Sequence, residues 1–110
     1  MTQNYRLTRQ AILEKKQVFA VYENHDREMC PHVLGIRDGK GRCLFYQFGG
    51  GSRTGIFSVT DPRAYQNWRC MEVEKLSELT IRDGPWFSIS RDTHRQTCVG
   101  EIDLEVAGWE

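Results

Sequence analysis

Arginine dominates the basic side chains of this sequence. Eleven of the 15 basic residues are arginine and four are lysine. A guanidinium group is planar, offers a fork of N–H donors that matches phosphate and carboxylate, and stacks on rings, which an ammonium group does not. This composition favours recognition of a planar or phosphorylated ligand, although a high-GC coding bias would produce the same count.

The acidic residues are unevenly distributed. The formal net charge is zero, but the last ten residues contain four acids and no base, so residues 1–100 hold 15 bases against 11 acids. A protein that binds duplex nucleic acid normally carries more positive charge than this. The charge balance therefore argues against duplex binding.

A glycine-rich segment, Gly49-Gly-Gly-Ser-Arg53-Thr-Gly55, combines backbone N–H groups, a hydroxyl and a guanidinium. Successive backbone amides of this kind can bind an anion. The segment lacks the Gly-Lys-Ser/Thr ending of a P-loop and no helical pattern follows it, so nucleotide hydrolysis is not indicated. Arg53 is a candidate ligand contact, and the alternative is that the segment only connects two strands.

Two tyrosines, Tyr22 and Tyr46, lie in runs of β-branched and aromatic residues that predict strands. Aromatic rings on a sheet surface stack the bases of single-stranded nucleic acids. Both tyrosines are therefore candidate stacking residues, with a place in the hydrophobic core as the alternative for each.

The four cysteines contain no C-x-x-C pair; they are Cys30, Cys43, Cys70 and Cys98. Without a visible secretory signal we expect reduced thiols, with Cys43 and Cys70 as small buried hydrophobic residues. The pairs Cys30/His32 and His94/Cys98 have spacings that zinc ligands use, but together they match no recognised zinc motif. We expect no metal and no other cofactor, and leave a metal at these two pairs as an open question.

Catalytic residues are not indicated by any spacing. Ser52 and Ser58 have no histidine and aspartate in a recognisable catalytic order. The carboxylates Glu72, Glu74 and Glu78 lie at even spacing, which on a strand gives one solvated face rather than an acid–base pair. We therefore expect no enzymatic activity.

The elements that position these residues are one helix and several short strands. Residues 6–16 place three apolar residues on one helical face. Strands are predicted at 18–22, 27–37, 42–48, 68–73, 79–82 and 101–106. Asp38-Gly39-Lys40-Gly41 is a hairpin turn, and Pro31 marks a sheet edge or a bend. Residues 49–67 show no periodicity, and loops of this length are mostly functional or mobile.

This order predicts a mainly β fold, a small twisted barrel that stays partly open, with one N-terminal α-helix. We expect a single domain over residues 1–110, with the helix at about 6–16, the barrel at about 17–82 and a C-terminal extension at 83–110. No apolar run is long enough for a membrane span. We expect a cytoplasmic protein.

Several segments, in chain order, share a pattern with a known family: Val18-x-x-x-Tyr22, Arg27, Pro31 with Leu34, a hairpin, and Arg69-Cys-Met-Glu-Val-Glu-Lys-Leu76. On these segments the chain, from about residue 9 to 82, resembles the WYL domain, the ligand-sensing module of many bacterial transcription regulators. The Trp-Tyr-Leu positions that name the family are occupied by Cys43, Leu44 and Phe45. The resemblance implies an SH3- or Sm-like barrel with a basic, sheet-lined pocket for nucleotides or oligonucleotides.

The resemblance also implies that Arg27 and Arg69 bind phosphate or base edges. The alternative for each is a pair with a neighbouring carboxylate such as Asp26 or Glu72. With the candidates from the residues themselves, the expected ligand-binding residues are Tyr22, Arg27, Tyr46, Arg53 and Arg69.

These observations support two hypotheses. The first is a stand-alone regulatory module that binds a nucleotide, a short single-stranded nucleic acid or another phosphorylated ligand without catalysis, alongside a DNA-binding partner protein. The second is a protein–protein interaction or homodimerisation module with no small ligand. Its contact surface would contain Trp68, Trp86 and Trp109, since aromatic residues are enriched at interface centres.

Overall fold

The computed structural model describes residues 1–89 and 96–108. Within these ranges one α-helix, α1 (Gln3–Glu14), precedes the strands, and short 3₁₀ turns lie at Ala64–Asn67 and Val73–Lys75. The strands are β1 (Gln17–Tyr22), β2 (His25–Arg37), β3 (Lys40–Gly50), β4 (Trp68–Glu72), β5 (Ser77–Arg82) and β6 (Glu101–Glu105). No helix in the described ranges is both long and apolar enough to cross a lipid bilayer.

The strands form one antiparallel sheet that does not close. Its order is β4-β3-β2-β1-β5, and β6 pairs with the second half of β2. The predicted fold class, mainly β with one N-terminal helix and a partly open barrel, is confirmed. The predicted turn at Asp38 and Gly39 is also present, with both residues at positive φ between β2 and β3.

The helix begins and ends earlier than the predicted residues 6–16. Its N-cap is Thr2, whose hydroxyl accepts a hydrogen bond from the Tyr5 N–H at 3.3 Å. Its C-cap is Lys15, which adopts the left-handed conformation with φ 52° and ends the helix. Thr8, Ala11 and Ile12 form the buried face that packs on the sheet.

Strand β2 is 13 residues long, and Pro31 lies buried within it, opposite Phe45 of β3, rather than at a sheet edge. The register with β3 shifts between Pro31 and Val33. The first half of β2 pairs with β1 and the second half with β6. Gly35 allows the second pairing, because a Cβ there would lie 2.0 Å from the Glu101 carbonyl oxygen. The segment 83–110, expected to be an extension outside the barrel, therefore supplies a strand of the sheet.

The two faces of the sheet pack differently. The inner face, which α1 covers, carries the larger core; its sheet residues include Val18, Met29, Leu34, Phe45 and Met71. The outer face carries a smaller apolar cluster of Val33, Leu44, Cys98 and Val99, with Trp68 packed against it. Neighbours along β3 and β4 alternate between these faces.

A disulfide joins Cys70 of β4 to Cys98, in the segment before β6, with a Cα–Cα distance of 5.5 Å. The prediction of four reduced thiols is therefore wrong for this pair. Cys70 is exposed rather than buried, whereas Cys43 is a fully buried free thiol, as predicted. The pairing brings together two residues 28 positions apart, a proximity created by the sheet and not visible in the spacing.

Candidate anion-binding site

Arg27 lies on the inner face, at the end of the sheet where β1 turns into β2. Its side chain is 3% exposed. Nε and Nη2 donate to the Tyr22 carbonyl oxygen at 3.3 and 3.1 Å, and Nη1 donates to Gln47 Oε1 at 3.1 Å. Its carboxylate partner is the exposed Glu23, at 3.7 Å. Arg27 thus fastens the β1–β2 turn to β3.

Arg69 lies opposite Phe45 in the register of β3 and β4, which places it on the same inner face. Its guanidinium donates to three backbone carbonyl oxygens: Nη1 to Gln66 and Trp68 at 2.8 and 3.1 Å, and Nη2 to Gly55 at 3.0 Å. No carboxylate of the described residues pairs with it, so the alternative of an ion pair with Glu72 is not realised.

The two guanidinium groups influence each other electrostatically. Burial lowers the pKa of Arg69, and the positive charge of Arg27 lowers it further. Burial also lowers the pKa of Arg27, and the Glu23 carboxylate opposes this effect. The one carboxylate that pairs with them is the exposed Glu23 at Arg27, so positive charge is in excess at this end of the inner face.

The glycine-rich segment folds beside these arginines. Gly50 has φ 81°, and a Cβ there would lie 2.1 Å from the Asp26 carbonyl oxygen, which accepts a hydrogen bond from the Gly51 N–H. The next residues form a turn in which the Ser52 hydroxyl donates to the Gly55 carbonyl oxygen at 2.9 Å. Arg69 binds that same oxygen. The exposed Arg53 lies within this turn, two residues before the Gly55 that Arg69 binds.

Arg53 differs from the other two arginines in having no hydrogen bond or ion pair with any described residue. Tyr22 is half-buried and packs against the inner core, and its hydroxyl accepts a hydrogen bond from the Glu72 N–H at 3.4 Å. We call Tyr22, Arg27, Arg53 and Arg69 the arginine end.

Tyr46 is the expected ligand residue that the structure separates from this group. It lies on the outer face, fully buried, with its ring edge-on to Trp68 at 5.2 Å between centroids. Its hydroxyl donates to the Ala64 carbonyl oxygen at 3.0 Å and accepts from Asn67 Nδ2 at 3.4 Å. A ring packed in this way is not available for stacking at the surface, so we leave Tyr46 out of the site.

Two polar residues that sequence reasoning did not single out organise the site. Gln47 is fully buried; its Oε1 accepts from Arg27, and its Nε2 donates to the carbonyl oxygens of Gly49 and Gly51. Asn67 is also fully buried and binds both the N–H and the carbonyl oxygen of Phe57, which ties down the long loop after β3. A signal for Gln47 was present: it is a lone amide in the apolar run 43–48.

The zinc pairs do not assemble among the described residues. Cys30 and His32 are buried, but the His32 ring bonds the Cys30 carbonyl oxygen at 2.8 Å and the Ser88 hydroxyl at 3.0 Å. Cys98 is in the disulfide, and His94 lies outside the described residues. In the part of the chain described, no three potential metal ligands come together.

Two of the three tryptophans expected on a contact surface take part in internal packing instead. Trp68 and Trp86 are half-buried and pack against the His32 ring, with centroid distances of 4.6 and 5.1 Å. Trp109 lies outside the described residues.

Comparison with family models, curated proteins and solved structures finds no match for this chain.

Proposed function

We propose that this domain is a non-catalytic regulatory module that binds a phosphorylated or nucleic-acid-derived anion at the arginine end. The preferred ligand is a short single-stranded nucleic acid, because its backbone offers repeated phosphates while its flexibility allows it to follow a small basic surface. The neutral net charge fits this ligand better than duplex DNA.

The observation that carries the proposal is the uncompensated charge of Arg69. Its guanidinium donates only to carbonyl oxygens among the described residues, and the positive charge of Arg27 lowers its pKa further than burial alone does. Carbonyl oxygens satisfy N–H groups but do not neutralise a positive charge. A phosphate would supply the missing counter-charge through charge-assisted hydrogen bonds.

The three arginines have different roles in this proposal. Arg53, exposed and without partners among the described residues, makes the first contact with phosphate. Arg69 is the second contact, through its Nε–H and the remaining Nη2–H, which no described residue accepts. Arg27 is a positioning residue, because its buried donors are engaged by Tyr22 and Gln47.

The ordered WYL-like segments support the regulatory part of the proposal. We infer a divergent relative of that family that acts beside a DNA-binding partner protein. The open, mainly β sheet with one N-terminal helix agrees with the barrel that this resemblance implies.

The test is fluorescence anisotropy with a 5′-labelled octathymidylate at about 50 mM salt. We expect binding that weakens as salt rises, with a slope of log K against log salt of roughly −0.7 for each phosphate neutralised on a single strand. Arg53→Ala should weaken binding about threefold and Arg69→Ala about tenfold. In each variant the slope of log K against log salt should become less steep by roughly 0.7, because one phosphate contact is lost.

Arg6→Ala is the matched control, because Arg6 is an exposed arginine of α1 outside the arginine end. The Arg53→Ala variant keeps the test interpretable if Arg69→Ala misfolds. Arg69 also holds the loop, whereas Arg53 has no described partner. Absence of binding by the unaltered protein, or equal binding by both site variants and the control, would exclude this function.

A further inference from the structure

A second group of arginines lies on the outer face, around a pocket of about 340 Å³. Arg37 from the end of β2, Arg42 from β3 and Trp68 from β4 line it, together with the Cys70–Cys98 disulfide. In the register of β3 and β4, Leu44 lies opposite Cys70 and Arg42 opposite Glu72, so these residues share the outer face. Arg69 alternates with them and lies on the inner face.

Arg42 has an unusual hydrogen-bonding state. Its Nε is buried, and no described residue accepts its hydrogen. Most buried polar groups in proteins do have a partner, so this atom of Arg42 is not fixed by a structural hydrogen bond within the described chain. The side chain as a whole is 26% exposed, and its accessible part is what a ligand can meet. Its Nη2 lies 3.6 Å from Glu72 Oε1, which makes this ion pair a loose one.

The charge around Arg42 is positive. Glu72 is shared with Lys40 at 3.6 Å and with Lys75 at 3.5 Å, so a single carboxylate faces three bases. Arg37, the other arginine of the pocket, donates to the Thr97 carbonyl oxygen and has no carboxylate partner among the described residues. Arg37 and Arg42 line the pocket and no carboxylate of the described residues does, so the pocket attracts an anion.

Thr97 and a group of apolar side chains complete the walls. Leu44 and Trp68 belong to the outer apolar cluster, and the disulfide adds two sulfur atoms. Pockets that bind small molecules combine such surfaces with a few placed polar groups, and their volumes begin near 300 Å³. An arginine fork beside an aromatic wall suits a ligand with a flat ring and one charged head.

We propose that this pocket is a second ligand site, which binds a small aromatic or heterocyclic anion whose phosphate or carboxylate meets Arg37 and Arg42 and whose ring lies against Trp68 and Leu44. It is separate from the arginine end, because the two groups of arginines lie on opposite faces of β3 and β4. The site does not depend on nucleic-acid binding at the inner face.

The experiment is isothermal titration calorimetry of the full, oxidised chain with three probes: adenosine 5′-monophosphate, indole-3-carboxylate and inorganic phosphate. We expect at least one of the two ring-bearing anions to bind at least tenfold more tightly than phosphate. Arg42→Gln and Arg37→Gln should each weaken that binding at least tenfold. Arg42→Lys should restore part of it, because the charge returns without the Nε–H.

Arg82→Gln serves as the matched control, since Arg82 is an arginine of β5 that stacks on Phe19 away from the pocket. Adenosine monophosphate and indole-3-carboxylate distinguish a phosphate head from a carboxylate head. The proposal is overturned if phosphate binds as tightly as both ring-bearing anions, if neither of them binds, or if Arg42→Gln binds them as the control does. Thermal unfolding of each variant separates loss of the site from loss of the fold.

Discussion

The two faces of strands β3 and β4 use arginine in opposite ways. On the inner face, Arg27 directs its hydrogen bonds to the Tyr22 carbonyl oxygen and the Gln47 side-chain oxygen and so fastens the β1–β2 turn to β3. On the outer face, Arg42 keeps a buried Nε–H without an acceptor in the described chain. An arginine near a surface can therefore act chiefly as a structural fastener or chiefly as a donor for a ligand, and its hydrogen-bond partners distinguish the two roles.

The largest expected effect of a substitution is at Arg27. Arg27→Met leaves the Gln47 side-chain oxygen and the Tyr22 carbonyl oxygen without their buried donor. We expect the free energy of unfolding to fall by about 3 kcal/mol, because each buried group left unsatisfied costs roughly 1–3 kcal/mol. Urea denaturation measures this, with Arg53→Met as the exposed counterpart. A decrease in the free energy of unfolding of less than about 1 kcal/mol would show that Arg27 does not hold the turn in place.

An intermediate effect is expected from pH at His32, which supports Trp68 on the outer face. Burial lowers the pKa of His32 to about 4 from 6.5, and the hydrogen bond to the Cys30 carbonyl oxygen offsets this only in part. Since the unfolded chain binds the proton more readily, the stability that His32 contributes is present above pH 6.5 and is lost as pH falls towards 4.

This shift predicts a fall of about 2 kcal/mol in the free energy of unfolding between pH 7.5 and pH 5. The measurement is urea denaturation at a series of pH values, with His32→Gln to remove the titrating ring and His25→Gln as the control histidine. The difference between unaltered protein and His32→Gln isolates this group from the carboxylates. Equal pH dependence in all three proteins would contradict the assignment.

The smallest effect is expected at Arg42, and it gives the sharpest contrast with Arg27. Arg42→Met removes a buried donor without a partner and a loose ion pair at 3.6 Å. We expect the free energy of unfolding to change by less than about 0.5 kcal/mol, because such pairs contribute little and the unsatisfied group is itself unfavourable. Urea denaturation beside Arg27→Met tests this. A loss as large as that of Arg27→Met would show that Arg42 is a structural fastener as well.

Local sequence features predicted much of the fold. The Asp38-Gly39 turn and the alternation of residues 101–106 located a hairpin and the last strand. What they did not predict was where that strand pairs, because its place depends on the length of β2 and on the register shift after Pro31. The first turn of the helix, from Gln3 with Thr2 as its N-cap, was also not predicted, because the apolar periodicity begins later in the chain.

The candidate sites were harder to predict for a physical reason. The run from Cys43 to Tyr46 is buried on both faces, so its alternation does not indicate that Tyr46 lies on the outer face. The pocket around Arg42 takes residues from three strands and from the segment before β6, which only the register brings together. Among the arginines predicted to bind a ligand, Arg27 and Arg69 are held mainly by backbone carbonyl oxygens, which carry no sequence signal.

The Cys70–Cys98 disulfide keeps the chain in one piece after a single cleavage of the backbone between the two cysteines. Cys70 and Cys98 close a covalent ring through the 27 residues between them. A protease that cuts once within that ring produces two fragments which remain one molecule until a reductant is added. Strand β6, which follows the ring, therefore stays tethered to β4 through sulfur even when the backbone connecting them is broken.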